Sequence, residues 1–120
     1  VIARCQEREE WTAAELRTLP HIGAYAADGV ALYVFGEPTF PLDGNVRRVV
    51  GRSLGIDGED ALEEAIDSVA SEALTTGGVQ HLRYVHMGTL ALGWDHCRTK
   101  PSCASCTLFG ICVSRSAFAG

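Results

Sequence analysis

Four of the five cysteines in this chain fall between Cys97 and Cys112. They are spaced Cys97-x5-Cys103-x2-Cys106-x5-Cys112, within the run HCRTKPSCASCTLFGIC. Thiolates this close together can surround one metal centre. A cubane iron–sulfur cluster takes four cysteine thiolates. A structural zinc also takes four ligands, but more often from two separated CxxC pairs, and only one CxxC occurs here. A disulfide framework or a redox pair is the third option, and disulfides belong mainly to secreted chains. The spacing places the cluster first, zinc second and disulfides last.

The rest of the composition sets the frame. A length of 120 residues suits one domain with a modest core. Apolar residues make up 47 %, which predicts a globular chain. No run approaches a membrane span and no charged-then-apolar leader opens the chain, so a reducing intracellular compartment (cytoplasm or nucleoid) is expected. The first residue is Val1 rather than methionine, as in a processed or truncated chain. The formal net charge of −5 at first disfavours nucleic acid. Its distribution changes that reading. Asp57, Glu59, Asp60, Glu63, Glu64, Asp67 and Glu72 hold seven of the 15 acidic residues, and no Lys or Arg lies from Ser53 to Leu82. The remainder has 10 basic against eight acidic residues, so one face can carry the acid while another meets phosphate.

Periodicity points to an all-α class, with no alternation of period two. Residues 1–10 read as the end of a helix, with Cys5 as a small packed residue outside the metal set. Thr12-x-x-Glu15 is a capping-box pattern that opens a short helix over about 13–18. Pro20 and Gly23 make Leu19-Pro20-His21-Ile22-Gly23 a tight turn. A helix follows from Ala24 to Phe35 and breaks at Gly36. Asp43 stands where it can cap GNVRRVVGRSLG. In that helix Val46, Val49 and Val50 face the core, while Arg47, Arg48 and Arg52 line another side. Glu59 to Thr76 form an amphipathic helix with Leu62, Ile66, Val69 and Leu74 buried. Gly77-Gly78 end it, and a last helix from Val79 to Trp94 leads to Cys97. The expected organisation is a helical portion over 1–95 and a cysteine loop and tail over 96–120.

In this order and spacing, LPHIG, then Asp43 in LDGNVRRV, then the four-cysteine tail resemble the helix–hairpin–helix DNA glycosylases, in the branch of endonuclease III and the adenine glycosylases. The likeness covers about Thr12 to Cys112. The sequence departs from the family in three places. The family hairpin reads LPGxG, and His21 replaces its first glycine, at a position where glycine relieves positive φ. The first cysteine gap is five residues rather than the family's six. The helices that precede the hairpin in the family are largely absent, so the chain looks like a C-terminal portion.

The resemblance implies chemistry at particular residues. His21, Ile22 and Gly23 would present backbone N–H groups to a DNA phosphate, often with a bound monovalent cation; the plain alternative is a turn between helices. Asp43 would stabilise positive charge on the sugar or orient a water as the N-glycosidic bond breaks; read without the resemblance, it caps a helix. Tyr25 stands where lyase members carry a lysine, and a phenol cannot form a Schiff base. The only lysine, Lys100, lies in the cysteine tail. Arg98 and Lys100 sit on a loop that approaches the DNA backbone in the family; a solvated loop is the alternative. Cys97, Cys103, Cys106 and Cys112 would hold a [4Fe–4S] cluster, stapling a segment with little core of its own. His96 adjoins that set, and His81 and His86 read as packed or surface residues.

These implications amount to a monomeric, monofunctional base-excision enzyme acting on double-stranded DNA with a flipped target base. Asp43-Gly44-Asn45-Val46 favours adenine opposite oxidised guanine over thymine or uracil opposite guanine. Tyr84-Val85-His86-Met87, where both mismatch branches often carry Phe-Asn, weighs the other way. A bifunctional endonuclease III-like lyase for oxidised pyrimidines and a non-catalytic iron–sulfur DNA-binding module are the alternatives.

Overall fold

A computed structural model describes residues 10–115 of the chain. All regular structure in this span is helical and none of it is strand, so the chain is all-α among the described residues. The helix end expected over 1–10 and the packing of Cys5 lie outside the described residues, apart from Glu10. Among the described residues no helix is long and apolar enough to cross a membrane.

The first helix, α1, is the single turn Ala13–Leu16. Its capping box is reciprocal: the Glu15 N–H donates to Thr12 Oγ1 at 3.2 Å and the Thr12 N–H to Glu15 Oε1 at 3.1 Å. Glu37 accepts a third free donor, the Ala13 N–H, at 2.6 Å. The helix stops two residues before the expected Thr18. Thr18 and Leu19 donate back only three residues, to Glu15 and Leu16, a tightening that Pro20 favours by restricting the residue before it.

Helix α2, Ala24–Val30, runs into a π-helical turn, Ala31–Phe35, which ends on left-handed Gly36 at φ 73°. Helix α3, Gly44–Leu54, is capped by Asp43, whose Oδ1 accepts the Val46 N–H at 2.8 Å. Val46, Val49 and Val50 are all buried, as the pattern predicts. Helix α4, Glu59–Asp95, consists of two helical arms that meet at a kink at Gly77-Gly78, where both residues leave helical geometry. Gly78 adopts φ 71°, ψ −165°, a conformation essentially closed to side-chain-bearing residues. The pair therefore divides α4 into an acidic arm, 59–76, and a second arm, 79–95.

The core has three centres. Trp11, Leu16, Leu19 and Ala27 pack between α1 and α2. Leu32 meets Ala73 and Leu82 across the bend of α4. Val46 and Val50 meet Ile66 between α3 and the acidic arm. Leu16, Leu32, Ile66 and Leu82 are fully enclosed, each contributing about 1.5–3 kcal/mol by leaving water. Leu62, Val69 and Leu74, expected in the buried stripe, are half-buried. All seven carboxylates from Asp57 to Glu72 are exposed. Arg47 turns towards them, pairing with Glu59 and, at 3.9 Å, with Glu63.

Candidate functional site

Two groups of chemistry-bearing residues stand out, and α3 joins them. At its N-terminal end, Asp43 is half-buried and extended, at φ −125° and ψ −175°. One oxygen caps the helix. The other is 3.4 Å from the Asn45 side-chain amide, which donates to it. The cap and the amide together hold the carboxylate at the mouth of α3, where the free N–H groups and the helix dipole favour negative charge.

The segment that delivers Asp43 is fastened from behind. His86, on the second arm of α4, is only 1 % exposed. Its Nε2 lies 3.0 Å from the Pro41 carbonyl oxygen and its Nδ1 lies 2.5 Å from the Tyr33 hydroxyl. A carbonyl only accepts, so Nε2 carries the proton. Phe40 packs edge-on against the ring at 5.1 Å between centroids. Burial holds the His86 pKa below its ordinary value, with the Pro41 bond and the Asp43 charge pulling the other way. Burial also raises the Tyr33 pKa, helped by Tyr25 and opposed by Arg83.

Tyr25, in the first turn of α2, is 47 % exposed. It lines an open groove of about 400 Å³ with Tyr33, Pro41, His86, Met87 and Leu90 among others. Asp43 does not line this groove; its neighbours Pro41 and His86 do. The structure thus brings Tyr25 to the segment that carries Asp43 without placing the two side chains in one cavity.

The turn before α2 closes with an Ile22 N–H to Leu19 carbonyl bond of 3.3 Å. His21 has φ 65° and is the one described non-glycine residue with positive φ. Its side chain is exposed. Gly23 caps α2 without any side-chain hydrogen bond, so the first N–H groups of that helix are not bound by a capping side chain.

At the other end of α3, the four thiols of Cys97, Cys103, Cys106 and Cys112 are unpaired and line a single cavity. No three of the described His, Cys, Asp or Glu side chains are grouped tightly enough to hold one ion. Donors approach the sulfurs: Arg52 Nη1 lies 3.7 Å from Cys97 Sγ and the Leu108 N–H lies 3.4 Å from Cys106 Sγ. His96 also lines the cavity, with Nδ1 3.2 Å from the Ser105 hydroxyl. Four unpaired thiols around one cavity are the donor type that a cubane cluster takes, while their spread is wider than a single ion needs.

The sequence pattern did not reveal the role of two arginines. Arg48 donates to the Cys97 carbonyl at 2.7 Å and, through its other nitrogen, to Asn45 Oδ1 at 2.7 Å. Arg52 donates to the Arg98 and Thr99 carbonyls at 2.6 and 3.3 Å. The expected polar side of α3 is therefore split, with Arg47 on the acidic arm and the other two on the cysteine loop. Of the two loop cations, Arg98 bonds Ser102 Oγ at 3.0 Å, while Lys100 is exposed. His81 is half-buried, in keeping with a packed or surface residue, whereas His86 does more than fill space. No protein-family model matches the chain.

Proposed function

We propose that the chain is the C-terminal portion of a monofunctional DNA glycosylase of the helix–hairpin–helix type, with a [4Fe–4S] cluster in its cysteine loop. The observation that carries this reading is the joint made by α3, which has a pinned carboxylate at its start and a four-thiol cavity held by its arginines at its end. Asp43 stabilises the positive charge that builds on the sugar as the base leaves and helps orient the attacking water. Tyr25 lines the groove and supplies no amine, so the product is an abasic site rather than a broken strand. His21, Ile22 and Gly23, together with the uncapped start of α2, meet a DNA phosphate through backbone N–H groups, with a monovalent cation at the turn. Arg98 and Lys100 meet the backbone from the cysteine loop.

Cys97, Cys103, Cys106 and Cys112 hold the cluster. When bound, it supplies a rigid cross-link to a loop with little core, and no electrons to a hydrolysis. Adenine opposite oxidised guanine is the favoured substrate, ahead of thymine or uracil opposite guanine. The enzyme acts as a monomer inside the cell.

The test is base release from labelled duplexes by the longest form of the gene product. The panel holds adenine opposite oxidised guanine, thymine and uracil opposite guanine, and an oxidised pyrimidine, each read with and without hot alkali. Alkali-dependent breaks in a mismatch duplex, lost in Asp43→Asn, are the expected result. Breaks without alkali mean a lyase. DNA binding without any base release means a non-catalytic module.

A further inference from the structure

We infer that His86 is a positioning residue for the Asp43 carboxylate, acting through the Pro41 carbonyl. This role rests on the glycosylase reading above for its effect on rate, but not for its geometry. His86 lies 45 residues from Pro41 in sequence, so the bond ties the second arm of α4 to the extended run entering α3. Only Leu42 separates the held carbonyl from Asp43. Without that bond only the cap and the Asn45 amide would restrain the carboxylate against rotation about the backbone of Pro41 and Leu42.

Three features make His86 suited to this. It is enclosed, so water does not compete for the Pro41 carbonyl. Its second nitrogen is engaged by Tyr33, on the π-helical turn, which fixes both the ring plane and the tautomer. Phe40, adjacent to Pro41, packs against the same ring, so backbone and side chain of the run are gripped together. The held carbonyl belongs to a residue that lines the Tyr25 groove, so the same bond shapes the groove wall.

The two ring nitrogens can be separated by substitution. The amide nitrogen of glutamine reproduces Nε2 and keeps the Pro41 bond. Asparagine reaches only the Nδ1 position and keeps the Tyr33 bond. Single-turnover base release, DNA affinity and thermal midpoint are measured for wild type, His86→Gln, His86→Asn and Tyr33→Phe in the longest gene product. His86→Asn is expected to lower the single-turnover rate about 10²-fold, the scale of an ångström-level misplacement, with affinity unchanged. His86→Gln recovers most of that rate, and Tyr33→Phe loses less than His86→Asn. If Asp43→Asn is inactive while His86→Asn matches wild type, the positioning role is overturned and the glycosylase reading stands. Equal losses in His86→Gln and His86→Asn, following their thermal midpoints, also overturn it, since packing alone would then explain them.

Nuclear magnetic resonance supplies an arm independent of activity. The ring nitrogens of His86 should show the proton on Nε2 at neutral pH, and the Asp43 carboxyl carbon should shift in His86→Asn but not in His86→Gln. If base release fails altogether and these signals appear, the glycosylase reading falls and the positioning geometry stands. A ring protonated on Nδ1, or an Asp43 resonance indifferent to both variants, overturns the geometry.

Discussion

Asp43 does two things that substitution can separate. Asparagine caps helices about as well as aspartate. Asp43→Asn should therefore keep stability within about 0.5 kcal/mol while lowering base release about 10²–10³-fold. Asp43→Ala should lose the same activity and also about 1 kcal/mol of stability, read from urea unfolding. His21 is a second informative residue. Its left-handed backbone costs a side-chain-bearing residue about 1 kcal/mol. His21→Gly should raise the unfolding midpoint by a part of that, the rest being lost to the greater freedom of unfolded glycine. His86 links residue chemistry to pH. Its pKa in the folded chain lies below the ordinary 6.5, chiefly through burial. Below 6.5 the unfolded chain takes up a proton that the folded chain resists, so the unfolded state binds more protons. The stability tied to this ring is thus complete above pH 6.5 and declines as the pH falls from there towards the folded value. Urea midpoints at about pH 7.5 and about pH 5.5 should differ less in His86→Gln than in wild type.

Among the elements, α4 depends most on two adjacent glycines. A methyl group on Gly78 would meet open space, but its φ of 71° with ψ −165° excludes alanine on backbone grounds. Gly78→Ala should cost about 1–3 kcal/mol, measured as a fall in thermal midpoint. The break itself was legible in the sequence, since paired glycines after an amphipathic run read as a stop. Thr12-x-x-Glu15, the valines of α3 and the capping role of Asp43 were equally legible, because each depends on near neighbours in the chain. The early end of α1 was legible only in part, through Pro20, and the π-helical turn has no signature in the local sequence. The same limit applies at the site. Residue type and spacing marked the four cysteines, and the resemblance marked Asp43. The grip of His86 on Pro41 and of Arg48 and Arg52 on loop carbonyls spans more than forty residues of sequence and has no periodic signature.

At the scale of the whole molecule, the cysteine loop is the segment that helical packing supports least. Among the described residues beyond Asp95 the only regular structure is the short turn Cys103–Ser105. It is held by arginine donors, the thiol cavity and a Val113 N–H to Ser53 carbonyl bond of 2.9 Å. On the proposed cluster reading, chelation should leave the far-ultraviolet helical signal nearly unchanged while backbone amides from Cys97 to Cys112 lose protection from hydrogen exchange. Iron and sulfide content before chelation separates a cluster from zinc, which would also leave the protein colourless.

The exposed carboxylates of the acidic arm give the molecule a marked polarity, with negative charge gathered along one rod and the remainder slightly positive. In the field of a polyanion such a body experiences a torque as well as a force. It would turn its acidic rod outward before contact, so that those residues help steer the encounter without touching the partner. Neutralising them would then strengthen indiscriminate sticking to duplexes while lowering the fraction of collisions that arrive facing the right way.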